Sequence, residues 1–279
     1  MEIIINGEKI SSEICNREIQ NVRKENPDTS NKEIKKQAQQ NLIDQTIIRQ
    51  QANKRFGSIS KKTINEEFGK LAARYGGKDQ FYRHFNLSEE DDDLIKKDIE
   101  QNIRITRLLE DITKDVTAAS EDEISAYYDE NKSDHVKPEK IHAAHIVKKV
   151  NPADPLSTYN EMKEIRKKLL EGADFTETAD TYSGCDDIGG DLGFFSRGKM
   201  VEEFDVIVFS MGAGEISPVF QTQFGYHIAT VYEKKPPEQI PLEECRDTIS
   251  EQIHYNRKND HIAEWVDELR KDMEIEIKG

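Results

Sequence analysis

The spacing of apolar and polar residues divides the chain into three segments, and the first of them has a helical pattern. Between residues 1 and 137, apolar residues recur mostly at steps of three or four, the period of amphipathic helices. One such stripe includes Ile34 and Leu42, and Ser60 and Ser88 are candidate N-caps of two further helices. This segment is therefore predicted to be a helical domain that opens with a short strand, EIIING.

The second segment, residues 138–235, alternates strand and helix signals. Its first strand, EKIHAAHIVKKV, is bounded by Pro138 and Asn151, and both residue types interrupt regular structure. Apolar stripes predict helices in STYNEMKEIRKKLLEG, DFTETADTYSG and VEEFDVIVFSMGAG, with a glycine-rich loop, GGDLGFFSRGKM, before the last of these. PVFQTQFGYHIATVYEKK is predicted to form two strands joined by a turn. The order predicts a compact α+β domain with an antiparallel sheet.

The third segment, residues 236–279, follows the proline-rich stretch KKPPEQIP and has two helical stripes. Amphipathic helices are marginally stable alone in water, so we expect this tail to pack on the N-terminal helices and to bury Trp265 there. The chain ends in MEIEIK, a short alternating strand that could pair edge to edge with EIIING. That pairing would make the middle domain an insertion in the helical domain.

Charge and composition exclude several classes of protein. Acidic residues outnumber basic ones by 55 to 40, a formal charge of −15, which argues against a protein that mainly binds nucleic acid or anionic membrane. No window reaches the apolar length of a membrane helix, so membrane insertion is not expected. The opening residues lack the basic and apolar regions of a signal peptide. The expected location is cytoplasmic, with a periplasmic or other extracytoplasmic location as the alternative if an export signal is missing. Three widely spaced cysteines do not make a disulfide framework.

The two histidines of HAAH point to opposite faces of their predicted strand. Because side chains alternate along a strand, Ile141, Ala143 and His145 share one face and His142 lies on the other. The two imidazoles cannot easily chelate one metal, and we expect no metal site. His142 is predicted to point away from any site that includes His145.

A second histidine lies on the apolar face of another predicted strand. In GYHIATVY, His227 shares its face with Ala229 and Val231. If the two strands are neighbours, His145 and His227 come within about 5 Å and could form a hydrogen bond. The alternative is that they are two unrelated histidines of the core.

The motifs HAAHIV, YSGCDDIGGDLGFFSRGKMVEEF and GEISPVFQTQFGYHI, in this order, closely resemble the parvulin family of peptidyl-prolyl cis/trans isomerases. The resemblance covers about 95 residues. It implies a catalytic network of paired histidines, a cysteine and a hydroxyl residue, namely His145, His227, Cys185 and Thr222. It also implies substrate-binding residues, which are Leu192, Met200, Phe204 and Phe224.

The flanking segments are similar to those of SurA/PrsA-type parvulin foldases, in which a C-terminal helix completes an N-terminal helical chaperone domain. The expected fold is α+β, with a parvulin-like sheet and surrounding helices inserted into or appended to a SurA-like helical domain. The expected domains are 1–137, 138–235 and a packing tail at 236–279. The resemblance implies an isomerase and folding chaperone for unfolded or proline-containing clients, without cofactor. Whether it forms a homodimer is left open by the sequence.

Several alternatives stay open from the residues themselves. Met200 and Phe204, four residues apart, fit ordinary core positions, and Cys185 fits an inert thiol, a hydrogen-bonding thiol or a nucleophile. The linker after the first strand carries only Lys148 and Lys149, which point to opposite faces and form a poor phosphate clamp. Phosphorylated Ser-Pro or Thr-Pro is therefore not the expected substrate. The alternative function is a holdase whose isomerase domain binds peptides with little activity.

Overall fold

The computed structural model describes residues 2–184 and 190–278, and the predicted helices and strands occur in the predicted order, with an additional strand at Asp191–Ser196. In chain order the elements are β1 (Glu2–Ile5), β2 (Glu8–Ile10), α1 (Ser12–Glu25), α2 (Asn31–Arg55), α3 (Lys61–Ala73), α4 (Lys78–Phe85), α5 (Asp92–Thr113), α6 (Glu121–Glu130), β3 (Val136–Lys137), β4 (Lys140–Lys148), α7 (Pro155–Leu170), α8 (Phe175–Tyr182), β5 (Asp191–Ser196), α9 (Glu202–Ser210), β6 (Phe220–Thr222), β7 (Gly225–Lys235), β8 (Glu238–Gln239), α10 (Leu242–Arg270) and β9 (Ile275–Lys278).

The chain divides into two compact units, and one is inserted in the sequence of the other. The first unit comprises residues 1–120 and 250–279, and the second comprises residues 121–249. The predicted boundaries lay at 137/138 and 235/236, so helix α6 and the first turns of α10 fall within the second unit. A single helix, α10, replaces the two stripes expected in the tail.

In the first unit, the two ends of the chain pair in one sheet, as the patterns of EIIING and MEIEIK indicated. Strand β1 lies between β2 and β9, and Ile3 pairs with Ile277. Beneath it, the buried Ile3, Ile47 and Val266 belong to one core cluster. Trp265 is half-buried at the edge of this cluster rather than buried, because the adjacent Val266 takes the interior position of α10.

The helix starts of the first unit match the predicted caps. The Ser60 hydroxyl accepts a hydrogen bond from the Thr63 amide at the start of α3. Ser88 and Asp91 form a capping box one turn before α5. A hydroxyl or carboxylate at these positions satisfies backbone amides that have no partner within the helix.

In the second unit, an antiparallel sheet with the order β5-β4-β7-β6 separates two apolar clusters. On one face, Ile141 and Ala143 pack with Phe204 and Val208 of α9. On the other face, Ala144 and Ile146 belong to a cluster with residues of α7 and α8. Strand alternation along β4 therefore follows the prediction. The prediction of a glycine-rich loop in GGDLGFFSRGKM was wrong for Asp191–Ser196, which pair with β4 as an edge strand.

Candidate active site

The neighbouring strands β4 and β7 bring the two predicted histidines together. Their register places Val147 opposite His227 and His145 opposite Ala229, so the histidines are diagonal neighbours on the face covered by α9. The ring centroids are 5.4 Å apart and the ring planes differ by 30°, which is a stacked arrangement. The imidazoles are therefore packed face to face, and His227 directs a ring nitrogen to another residue.

That residue is Thr222, at the end of β6. Its Oγ1 lies 2.8 Å from Nε2 of His227, and it also accepts a hydrogen bond from the Phe224 amide at 3.1 Å. With one lone pair occupied by that amide, the Thr222 hydroxyl can donate its own hydrogen to an unprotonated Nε2. Nδ1 of His227 would then carry the proton. This nitrogen is buried and has no hydrogen-bond partner among the described residues.

The surroundings of His227 keep it neutral near physiological pH. Burial first, and repulsion from His145 second, lower the pKa of His227 from 6.5 to about 4. Only 3% of the residue is exposed, so a charged imidazole would lose most of its hydration. At neutral pH this side chain therefore takes part in hydrogen bonds and does not supply a positive charge.

The low pKa of His227 predicts acid destabilisation of the second unit. An unfolded chain binds this proton below about pH 6.5, whereas the folded chain binds it only near pH 4. Stability should therefore fall as the pH drops from 6.5 to 4, with this residue contributing a slope of up to about 1.4 kcal/mol per pH unit. Urea unfolding of the wild type and of His227→Gln across this range measures the difference. Equal slopes for both proteins would contradict the prediction.

Phe204 of α9 lies against both imidazoles and completes the apolar side of the site. Its ring centroid is 5.7 Å from that of His145 and 5.8 Å from that of His227, with edge-on geometry in both cases. Phe204 is 3% exposed, and the half-buried Leu192 and Met200 pack against the same cluster. Phe204 thus connects the histidine pair to the apolar cluster against which two other predicted substrate-binding residues pack.

Phe220 is a site residue that the sequence analysis missed. Its ring stacks on His227 with centroids 5.4 Å apart and planes differing by 19°, and it lies 5.6 Å from the Phe204 ring. Phe220 is two residues before Thr222 on β6, so strand alternation places both on one face. That spacing is the signal in the sequence that could have identified it.

A cavity of about 620 Å³ opens beside the polar side of the pair. Its described lining includes His145, Val147, Lys149, Thr222, Phe224 and His227. Phe224 is 60% exposed at its rim. Leu192, Met200 and Phe204 are not among the described lining residues. The structure thus divides the predicted residues into a cavity wall and an apolar cluster, which meet at the two histidines.

The remaining predictions for the site concern Cys185 and the two lysines after the first strand of the domain. Cys185 lies outside the described residues, so its place relative to the histidines stays a prediction. Lys148 forms an ion pair with Glu161, whereas the exposed Lys149 lines the cavity. One of the two lysines is therefore engaged away from any substrate group.

His142 lies on the other face of β4, as alternation predicted. Its Nε2 is 2.8 Å from Oδ1 of Asp191, and its ring contacts those of Phe194 and Tyr232. Asp191 also accepts a hydrogen bond from the Gly193 amide at 2.9 Å, so it binds a backbone amide of its own segment as well.

Within residues 2–184 and 190–278, no three His, Cys, Asp or Glu side chains are clustered as a metal site would require. Among the helices of those two ranges, none combines the length and apolarity needed to span a bilayer.

This chain is similar to known proteins both in the segment that holds the site and over nearly its whole length. Residues 145–233 match the family model described as Rotamase, PPIC-type PPIASE domain. The foldase protein PrsA of Caldanaerobacter subterraneus subsp. tengcongensis is 30% identical over 98% of this chain and 85% of its own length. The foldase protein PrsA of Geobacillus kaustophilus is 30% identical over 88% of this chain and 78% of its own.

One solved structure also matches over nearly the full length. It comes from work on PEB4 and the periplasmic protein Cj1289, two SurA-like chaperones of Campylobacter jejuni. The match covers 99% of this chain and 98% of the other, with a TM-score of 0.52 and 24% identity. At that identity the likeness concerns the fold alone.

Proposed function

Because this chain belongs to the PrsA family of foldases and carries a PpiC-type domain, it is a peptidyl-prolyl cis/trans isomerase and folding chaperone, and we propose that His145, His227 and Thr222 form the polar part of its catalytic site. The observation that carries the proposal is the stacked histidine pair between Phe204 and the open cavity. The substrates are X-Pro bonds of unfolded or partly folded client polypeptides.

The reaction sets what such a site has to supply. Rotation about an X-Pro bond disrupts amide resonance and has a barrier of about 20 kcal/mol. No covalent bond is broken, so the protein needs to bind the twisted amide more tightly than the planar one. Rotation returns the lone pair to the nitrogen, which becomes a hydrogen-bond acceptor, and leaves a ketone-like carbonyl with less negative charge on its oxygen. Fixed hydrogen-bonding groups in a site shielded from water can stabilise that change.

In the proposed site, the apolar cluster and the cavity wall have separate roles. The prolyl ring enters beside the imidazoles and is held against the side of the cluster formed by Leu192, Met200 and Phe204. Phe204 also fixes both imidazole rings by its edge-on contacts. The Thr222 hydroxyl holds His227 in one orientation through the 2.8 Å hydrogen bond. Cys185, as a hydrogen-bonding thiol, would join this network.

The activity is proposed not to depend on phosphorylation of the residue before proline. Lys148 is paired with Glu161, which leaves Lys149 as the charged side chain of the described cavity wall. A single exposed lysine binds a phosphate dianion weakly in comparison with a cluster of arginines and lysines. The client's own backbone and prolyl ring are therefore the main features recognised.

The test of the proposed site is a comparison of His145→Ala with His142→Ala. His145→Ala removes a ring that touches both His227 and Phe204, and we expect the catalytic efficiency on a prolyl tetrapeptide to fall at least tenfold, or about 1.4 kcal/mol in transition-state binding. His142 lies on the opposite face, so the catalytic efficiency of His142→Ala should stay within a few-fold of that of the wild type.

The independence from phosphorylation has a separate test. The wild-type protein should isomerise a Glu-Pro peptide and a phosphoserine-Pro peptide at rates within a few-fold of each other.

Thermal unfolding of both variants controls for stability, because each replacement removes a packed ring. Equal losses from His142→Ala and His145→Ala, at equal stability, would rule out the proposed site. A strong preference for the phosphorylated peptide would contradict the substrate assignment alone.

A further inference from the structure

Strand β5 carries a bulge directly opposite the strand that holds His145. His142 pairs with Phe194 and Ala144 pairs with Asp191, so two residues, Leu192 and Gly193, lie opposite Ala143 alone. Gly193 has a φ of 62°, in the left-handed region that favours glycine. An extra residue in one strand moves every side chain beyond it to the other face of the sheet.

This shift decides which face Leu192 occupies. Phe195 follows the bulge in the chain, pairs with Ile141 and packs in the cluster that contains Phe204. Leu192 is three residues earlier, so regular alternation would place its side chain on the face opposite to that of Phe195. With the bulge, Leu192 instead packs against the cluster beside the histidine pair. Its proposed contact with the prolyl ring therefore depends on the bulge.

The Asp191 carboxylate ties the two sides of this bulge together. Its Oδ1 accepts a hydrogen bond from the bulge amide of Gly193 at 2.9 Å and lies 2.8 Å from Nε2 of His142 on β4. The Gly193 amide and then His142 lower the pKa of Asp191, against the opposing effect of burial, so the acceptor stays ionised. The His142 ring is itself held between Phe194 and Tyr232, with centroids 5.1 Å away in each case.

The residue just before Asp191 lies directly on the backbone of His145. Gly190 has a φ of 67°, and a Cβ atom at this position would lie 1.9 Å from the His145 carbonyl oxygen. Such a distance is far inside van der Waals contact, so the chain can pass here only without a side chain. The backbone at Gly190 therefore lies in close contact with the strand at His145.

We propose that Asp191, held by His142, is a positioning residue that fixes the β5 bulge so that Leu192 faces the substrate and the β5 backbone supports His145. This inference rests on the proposed function, which assigns Leu192 and His145 to the site. It gives the first histidine of HAAH an indirect role, although its side chain points away from the cavity.

A double-mutant cycle with Leu192 tests the proposal, because a residue that acts through Leu192 loses its effect when Leu192 is removed. We expect Asp191→Ala and Leu192→Ala each to raise KM for a prolyl tetrapeptide about fivefold to tenfold, with kcat changed less than about threefold. The double variant should be no more than about twofold worse than Asp191→Ala alone. KM and kcat are obtained from exchange spectroscopy over a range of peptide concentrations.

Two further variants separate positioning from general destabilisation. Asp191→Asn keeps an oxygen that accepts from Gly193, so it should restore KM to within about twofold of wild type. The matched control is Glu215→Ala, because the Glu215 carboxylate also accepts a glycine amide, that of Gly212 at 2.8 Å, outside the site. In the Glu215→Ala background, Leu192→Ala should still cause its full increase in KM.

If Asp191→Ala does not fold, His142→Phe replaces it in the cycle, since phenylalanine keeps the ring contacts and loses the hydrogen bond. We expect a KM increase of about threefold and the same coupling to Leu192. Additive effects of Leu192→Ala with either variant would overturn the inference. If Leu192→Ala by itself leaves KM unchanged, the proposed site is at fault instead.

Discussion

Replacing Phe204 with alanine is expected to reduce catalytic efficiency on a prolyl tetrapeptide by at least tenfold. Burial of such a side chain is worth roughly 1.5–3 kcal/mol, and losing even part of that from transition-state binding has this effect on the rate. The same change removes the edge-on contacts to both His145 and His227. It should also lower the free energy of unfolding by about 3–5 kcal/mol, so activity must be measured on the folded fraction.

Replacements of Cys185 give the contrasting case. Cys185→Ser keeps a hydrogen-bonding group of similar shape, and Cys185→Asp introduces a carboxylate that can also accept hydrogen bonds but is a poorer nucleophile. Both are expected to retain more activity than Phe204→Ala. If both were inactive while Phe204→Ala was nearly normal, a nucleophilic cysteine would replace the account based on ring capture and hydrogen bonding.

Removal of residues 250–279 is expected to abolish cooperative folding of residues 1–120. Strand β9 pairs along β1, and the tail supplies Val266 and the half-buried Ile262, Leu269 and Ile275 to the core cluster. Burial of an aliphatic side chain contributes roughly 1.5–3 kcal/mol when it is complete and part of that when it is partial. The stabilisation lost with these four side chains is therefore comparable with the lower end of the total stability of a domain, about 5–15 kcal/mol. Circular dichroism during thermal unfolding of a 1–120 fragment measures the result.

The inserted unit supplies the control for this truncation. Residues 121–249 contain their own sheet and both clusters around it, so this fragment should unfold in a single cooperative transition. A 1–120 fragment that also unfolded cooperatively, at a temperature near that of the full chain, would contradict the role given to the tail.

The parts of the site that strand alternation controls could be predicted from the sequence. A period of two in HAAHIV and GYHIATV put His145 and His227 on apolar faces, and the register of β4 with β7 made them neighbours. The same rule placed His142 on the opposite face. The pairing of EIIING with MEIEIK followed from two short alternating strands at the chain ends that each needed a partner.

The parts that depend on tertiary context could not be predicted in this way. GGDLGFF has the composition of a loop, but pairing with β4 makes Asp191–Ser196 a strand whose bulge tolerates the left-handed Gly193. Phe220 was missed because the only signal for it, its two-residue spacing from Thr222, spans a strand of just three residues. Trp265 was expected to be buried because the apolar stripes of the tail need a packing partner, yet Val266 occupies the interior position.

The most direct test of the central claim is two-dimensional NMR of the 15N-labelled protein with an excess of an unlabelled prolyl tetrapeptide. We predict that the protein will accelerate cis/trans exchange of the peptide, and that shift changes will concentrate at the amides of His145, Val147, Thr222 and His227, which border the cavity. Accelerated exchange with unchanged amides at these four positions, or no accelerated exchange at all, would contradict the assignment of the active site.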